Sequence, residues 1–343
     1  MQEFSVALLG WYHKNKRDLP WRKTKNPYKI WLSEIILQQT RVDQGLKYYL
    51  SFLEHFPTLF DLAKASEQEV LKLWQGLGYY SRARNLHFTA KFIVNELDGK
   101  FPDNYNELLQ LKGVGKYTAA AIASFAYDEA VPAIDGNVYR LFSRLFGIYT
   151  PIHTTKAQKE FFKIVSELIH EKEAGYLNQA TMELGAIVCR PRNPDCEDCP
   201  LAFKCWAFEK NKQHELPVKK AKIQIKHRYF NYFIIEQEEG KILHLREQKD
   251  IWRHLYQFPL LERKNPLLEE IENFIVERFG TSHLTLSKIN ETPIIHKLSH
   301  QHLHLTFWKV TTDKIQELPK WHCFVNEDNV SKLPVPKSIE SYI

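Results

Sequence analysis

Residues 111–137 read LKGVGKYTAAAIASFAYDEAVPAIDGN, and this stretch decides the fold. Gly113 and Gly115 flank Val114 in a tight turn between two helical patterns. Ahead of the turn, Tyr105, Leu108 and Leu109 fall at helical spacing. Behind it, Tyr117 to Phe125 is rich in alanine, the strongest helix former. Two glycines one residue apart allow a bend that a side chain would block. The amides at the start of the second helix can then face an anion. Gly113, Val114 and Gly115 are therefore candidates for holding a phosphate without reading sequence. An ordinary connection between two helices satisfies the same pattern.

The next residues narrow the choice. The apolar run Val131-Pro132-Ala133-Ile134 stops at Asp135-Gly136-Asn137. Val138, Leu141, Phe142, Leu145 and Phe146 then resume helical spacing. Asp135 thus stands at a helix start, where the helix dipole stabilises a carboxylate. Two readings stay open: a plain cap, or a catalytic carboxylate held ionised beside an anion-gripping hairpin.

Upstream, Trp31 to Thr40 forms an apolar helix around Glu34. Trp31, Leu32, Ile35, Ile36 and Leu37 cover most of its circumference, so Glu34 is expected to be partly buried. Burial raises a carboxyl pKa, which suits a general acid. Residues 71–84, LKLWQGLGYYSRAR, pair Gly76 and Gly78 with two tyrosines and two arginines. That composition suits insertion into a duplex, and equally a helix end with surface tyrosines. No strand pattern appears in the first two hundred residues, which read as all-α.

The chain has 343 residues, enough for two domains, and a net charge of +6, which suits a polyanionic partner. No apolar run approaches the roughly 18 residues of a membrane span, and the N-terminus reads as an amphipathic helix. A cytoplasmic, nucleoid-associated protein is expected, working as a monomer without a membrane. Four of the five cysteines crowd into Cys189-x6-Cys196-x2-Cys199-x5-Cys205. By themselves they are four soft ligands for a metal centre, zinc or iron–sulfur.

Residues 210–227 read as a basic linker; from Lys210 to Arg228 there are seven Lys or Arg against one Glu. The period then changes. Ile223-Gln224-Ile225, Tyr229–Ile235, Lys241–Arg246 and the stretch around Leu303–Val310 read as strands, and Pro266–Phe279 as an amphipathic helix. The expected architecture is an all-α domain over 1–209 and an α+β domain over 228–343. His300, His302 and His304 share one face if that segment is a strand; a half-exposed strand is the favoured reading over a metal site.

WLSEIILQQTRV (31–42), WQGLGYYSRARNLH (74–87), LKGVGKYTAAAI (111–122), IDGNVYR (134–140) and the cysteine loop resemble the MutY-type adenine DNA glycosylases of the helix-hairpin-helix, endonuclease III superfamily. The likeness covers essentially the whole chain. Residues 228–343, with IWRHLYQFPLLE (251–262) and the loop at Leu298-Ser299-His300, are similar to that family's Nudix-like C-terminal domain. Leu298 stands where the family commonly has Phe, and Lys112 where many relatives have Pro. The glycine and Glu-rich helix of a Nudix hydrolase box are missing, so the resemblance implies binding there rather than hydrolysis.

The resemblance implies excision of adenine mispaired with 8-oxoguanine or guanine in double-stranded DNA, through base flipping. Glu34 would protonate adenine and Asp135 would lie beneath the sugar, with Asn137 and Tyr117 beside them. Trp21, Arg22 and Gln179 would read adenine. Gln39 and Tyr79 would fill the vacated stack, Thr40 and Ser299 would contact 8-oxoguanine, and Leu298 and His300 would complete the loop. Cys189, Cys196, Cys199 and Cys205 would hold a 4Fe–4S cluster. Lyase relatives carry a nucleophilic lysine two residues after the second hairpin glycine. Tyr117 occupies that position here, which implies a monofunctional enzyme.

Overall fold

The computed structural model describes residues 2–170, 173–219, 224–281, 283–315 and 317–343. Its helices up to the cysteine loop are α1 (Gln2–Asn15), α2 (Pro27–Leu37), α3 (Val42–His55), α4 (Leu59–Lys64), α5 (Glu67–Leu73) and α6 (Ser81–Glu96). They continue with α7 (Tyr105–Leu108), α8 (Lys116–Tyr127), α9 (Gly136–Phe146), α10 (Thr155–Ser166) and α11 (Ala174–Ile187). A short α12 (Trp206–Glu209) comes after the cysteines. Chain contacts divide the molecule into two units, Met1–Lys64 with Asn85–Ala221 and Ala65–Arg84 with Lys222–Ile343.

In the first unit, local chemistry fixes the helices that matter. Asn26 caps α2 by accepting from the Lys29 amide, and Pro27 opens it where its missing N–H costs nothing. Asp135 caps α9. Gly185 lets α11 come against α9: a Cβ there would lie 2.8 Å from the Asn137 Cβ. Leu8, Tyr12, Phe142, Phe161, Leu177 and Leu184 form the core where α1, α9, α10 and α11 meet. The turn between α7 and α8 has Gly113 at φ +82, and a Cβ there would sit 2.7 Å from the Asn85 Cβ.

The second unit is a mixed sheet. Its strands are β1 (Lys226–Gln237), β2 (Gly240–Leu245), β3 (Tyr256–Gln257), β4 (Leu260–Glu262), β5 (Leu284–Lys288), β6 (Ile294–Lys297), β7 (Gln301–Thr312) and β8 (His322–Val325). The order is β3-β2-β1-β7-β5, with β4 on β1, β6 on β7 and β8 on β2. The long central pair, β1 and β7, is parallel. Helix α13 (Leu268–Phe279) buries Ile271, Ile275 and Phe279 against Phe233, Ile235, Ile242 and Val310. A last short helix, α14, spans Glu327–Val330.

The helical first unit and the α+β second unit match the sequence reading, but details differ from it. Residues 65–84, assigned there to the helical domain, group with the second unit. Lys72 Nζ donates to the Leu333 carbonyl at 3.1 Å, and Arg84 Nη1 to the Arg253 carbonyl at 2.8 Å. Gln75 Oε1 accepts from the Val335 amide at 3.1 Å, and Glu67 pairs with His254. Residues 210–218 are not a free linker, because Arg144 Nε donates to the Gln213 and Leu216 carbonyls. Ile223 lies outside the described residues, and Gln224 and Ile225 precede β1 rather than forming a strand. His300 falls in the turn before β7, so only His302 and His304 share a strand face.

Gly113→Ala should lower stability by about 1–3 kcal/mol, the scale for forcing a side chain into a left-handed turn, with the clash against Asn85 added. The denaturant midpoint measures this; an unchanged midpoint would mean that the turn relaxes freely.

Candidate active site

A cavity of about 260 Å³ in the first unit gathers Glu34, Thr40, Tyr117, Asp135, Asn137, Trp21, Arg22 and Gln179. Five separate segments supply them. Glu34, on α2, is only 5% exposed. Burial pushes its carboxyl up to about 7. The Tyr117 hydrogen bond and Arg22 oppose this shift, while the nearby charge of Asp135 adds to it. Tyr117 Oη donates to Glu34 Oε2 at 2.8 Å.

Asp135 Oδ1 accepts from the Asn137 and Val138 amides, both at 2.8 Å. Its Oδ2 accepts from Asn137 Nδ2 at 2.7 Å. Burial moves its pKa up, against these three bonds and the charge of Arg140. Both oxygens act as acceptors, which is the hydrogen-bonding role of a carboxylate. Asn137 is itself held: its Oδ1 accepts from Arg140 Nη2 at 2.8 Å. Arg140 also donates to the Gly185 carbonyl at 2.6 Å and, through Nε, to the Cys189 carbonyl at 2.7 Å. One guanidinium thus braces the Asp135 cap against α11 and the cysteine loop.

Sequence reasoning missed Glu183. It is fully buried on α11 and lines the same cavity. Arg22 holds it through two bonds, at 3.0 and 2.6 Å. Arg17 adds Nε and Nη2, at 2.9 and 2.7 Å, and its amide at 2.9 Å. Burial alone would raise its pKa, but these bonds prevail and lower it to about 2. Arg22 therefore meets the cavity as half of an ion pair. Gln179 Oε1 accepts from Tyr12 Oη at 2.6 Å, which fixes the direction of its amide. Trp21 is buried edge-on against Tyr49, with ring centroids 5.1 Å apart.

Gln39 lies just outside this cavity, exposed, at φ +55. Tyr79, in the second unit, is 41% exposed at φ +50. Non-glycine residues rarely adopt this conformation, and such strain collects at functional sites. Arg82 and Trp74 both donate to the Gly78 carbonyl at 3.0 Å, pinning the turn that presents Tyr79. Tyr79 Oη is hydrogen-bonded to Ser299 Oγ. Tyr79, Leu298, Ser299 and His300 line a second cavity of about 460 Å³, with Arg84, Trp252 and His296. Gly113, Val114 and Gly115 line neither cavity; Gly115 starts α8 without a side-chain acceptor, so its first-turn amides favour an anion.

The four loop cysteines border one small cavity with Leu141, Arg144 and Leu201. Burial raises the thiols of Cys196 and Cys205 and pushes Cys199 up to about 12. Thiolates there need compensating positive charge. Arg144 Nη1 lies 3.4 Å from Cys189 Sγ, and Gln213 Nε2 lies 3.8 Å from Cys196 Sγ. Among the described residues no three His, Cys, Asp or Glu stand close enough to hold a single metal ion. Four thiols on one common cavity, with Arg144 beside them, make a set of soft donors suited to a thiolate-bound metal centre.

A profile of the HhH-GPD superfamily of base-excision DNA-repair proteins matches residues 32–167, and a NUDIX-domain profile matches 231–343. The adenine DNA glycosylase of Buchnera aphidicola subsp. Schizaphis graminum is 32% identical over 348 residues, covering 99% of this chain and 97% of that protein. The human adenine DNA glycosylase is 42% identical over 222 residues, 62% of this chain and 41% of its own length. Among solved structures, a thermostable thymine-DNA glycosylase superposes with a TM-score of 0.57 at 30% identity, covering 61% of this chain and 96% of that one. With its braced carboxylate, cysteine loop and Nudix-like second unit, the chain belongs to the adenine DNA glycosylase family of the HhH-GPD superfamily.

Proposed function

We propose that the protein hydrolyses the N-glycosidic bond of adenine paired with 8-oxoguanine, or guanine, in duplex DNA, without cutting the strand. One observation carries this reading. A buried carboxyl protonated up to about pH 7 shares a cavity with a second carboxylate that accepts three hydrogen bonds. Paired carboxylates in unlike environments are the arrangement glycosidic cleavage needs.

Adenine flips into the 260 Å³ cavity, where the Arg22–Glu183 pair and the Gln179 amide offer hydrogen-bond partners to its edge. Glu34 delivers its proton to N7. The bond between C1′ and N9 then breaks, and its electron pair leaves with the base. Asp135 faces the positive charge that grows on the sugar, and Asn137 with Arg140 keeps it aimed. Water adds to C1′ and returns a proton to Glu34. Tyr117 orients Glu34 and fills the place of a lyase lysine; Lys116 next to it is exposed and lines no part of the cavity.

The hairpin amides of residues 113–115 hold a phosphate. Gln39 and Tyr79 enter the stack, and Thr40 and Ser299 read the damaged guanine. Oxidation gives guanine an N7–H, which Ser299 Oγ can accept; undamaged N7 is itself an acceptor. Cys189, Cys196, Cys199 and Cys205 would hold a 4Fe–4S cluster, which would tie the loop to one inorganic core.

Single-turnover excision from a duplex with one adenine opposite 8-oxoguanine tests the chemistry. Asp135→Asn and Glu34→Gln should each abolish excision and leave duplex affinity near wild type. Normal excision by either variant would sink the mechanism. The wild-type rate should fall about tenfold per pH unit above about 7 as Glu34 loses its proton. The same raised pKa makes Glu34 a stability term, fully present below the unfolded value of 4.5 and lost as pH rises through about 7, so Glu34→Gln should flatten that decline. Abasic product should stay uncut until base or heat is added, and efficient borohydride trapping would point to a lyase.

Purified protein should be yellow-brown with about four irons per chain, as a cubane requires. One zinc in colourless protein would overturn the cluster. Because residues 65–84 belong to the second unit, point variants test lesion reading more cleanly than truncation. Ser299→Ala should shrink the preference for 8-oxoguanine over guanine by about tenfold, the scale of one base-reading contact. An unchanged preference would move the reader to Thr40.

A further inference from the structure

One face of the central strand pair is covered by a helix over only part of its length. On β1 this face carries His227, Tyr229, Asn231, Phe233 and Ile235. Their parallel partners on β7 are His302, His304, Thr306, Trp308 and Val310. Helix α13 packs over Phe233, Ile235 and Val310. The remaining half borders a cavity of about 360 Å³, separate from the active-site and lesion-reading cavities. Asn231 and Thr306 are buried beneath it, while Tyr229, His304 and Trp308 keep partial exposure.

Its side chains are not those of a sheet awaiting an apolar cover. The Tyr229 and His304 rings stack, with centroids 4.6 Å apart and planes 17° from parallel. Lys264 Nζ stands 5.4 Å from the Tyr229 centroid, and Lys288 Nζ stands 5.9 Å from that of Trp308. Arg263 also lines the cavity, paired with Glu270 at 2.6 Å. The acidic lining residue is Glu291, so base exceeds acid at the rim. His227 Nδ1 lies 2.9 Å from His304 Nε2, so these two imidazoles satisfy each other rather than a metal.

Flat rings in a row on a sheet, amide and hydroxyl groups between them and ammonium groups at the edge match the chemistry of bases joined by phosphates. Side chains on one face of a strand repeat every ~6.6 Å. His304 and Trp308 stand two repeats apart on β7 with Thr306 between them, and Tyr229 on β1 stacks on His304, so the face offers two ring platforms separated by a polar position. Bases in a duplex already stack on each other and show only their edges in the grooves. We propose that this half-face of the sheet binds an unpaired stretch of DNA strand.

The test uses the full-length protein with its glycosylase cavity filled by excess unlabelled lesion duplex. A fluorescein-labelled oligothymidylate of about twelve nucleotides is titrated by anisotropy. K264E/K288E should weaken binding about tenfold and lower the salt slope by about 1.4, two phosphates at about 0.7 each. Adenine excision from duplex should stay within about twofold of wild type, because neither lysine lines the active-site cavity. Trp308→Ala should weaken binding by a similar factor. The doubly substituted chain keeps the test valid if loss of the half-buried indole impairs folding. Photocrosslinks from 5-iododeoxyuridine should map to Tyr229, His304 or Trp308. Wild-type affinity in K264E/K288E, equal competition by thymidine monophosphate at the same nucleotide concentration, or crosslinks confined to other surfaces would each overturn the proposal.

Discussion

Everything at the active-site cavity depends on how a helix start disposes of its unpaired amides. The first turn of α9 needs an acceptor, and Asp135 supplies it by bonding the Asn137 and Val138 amides. A carboxylate used as a cap cannot wander, so the helix fixes its position and the bonds favour its charged form against burial. Arg140, one turn along, turns that local cap into a tertiary joint by binding Asn137, Gly185 and Cys189 together. α11 can take part because Gly185 allows close approach.

The opposite side of the cavity works by the reverse logic. Glu34 has a single strong donor, Tyr117, and an apolar helix around it, so burial wins and the proton stays. Glu183 is as deeply buried yet remains anionic, because two arginines converge on it. Three carboxyls in one cavity thus have three different environments: burial prevails at Glu34 and, against three hydrogen bonds, at Asp135, whereas two arginines prevail over it at Glu183.

This contrast also explains what the sequence could and could not reveal. Asp135 and Glu34 were legible because each violates a local pattern: one ends an apolar run at a helix start, the other interrupts an apolar helix. Glu183 breaks no pattern in YLNQATMELGAI, and its partners lie more than 160 residues earlier in the chain. The long strands β1 and β7 and helix α13 declared themselves by period. β3 and β4, two and three residues long, are too short to show any period and exist only through pairing with neighbours. The attachment of residues 65–84 to the second unit rests on side-chain bonds to Arg253, Leu333, Val335 and Glu340, which no local signal announces.

The Arg140 brace has a consequence for the order in which the chain is made. Asp135 and its helix leave the ribosome early, but Gly185 and Cys189 emerge 45 and 49 residues after Arg140. Until that later stretch has emerged and docked, Arg140 holds Asn137 but lacks its own anchors, so the Asp135 cap is local and unbraced. A nascent or prematurely terminated chain therefore carries the acid groups without their alignment. Full bracing of the cavity carboxylate thus waits on the completion of the helical unit.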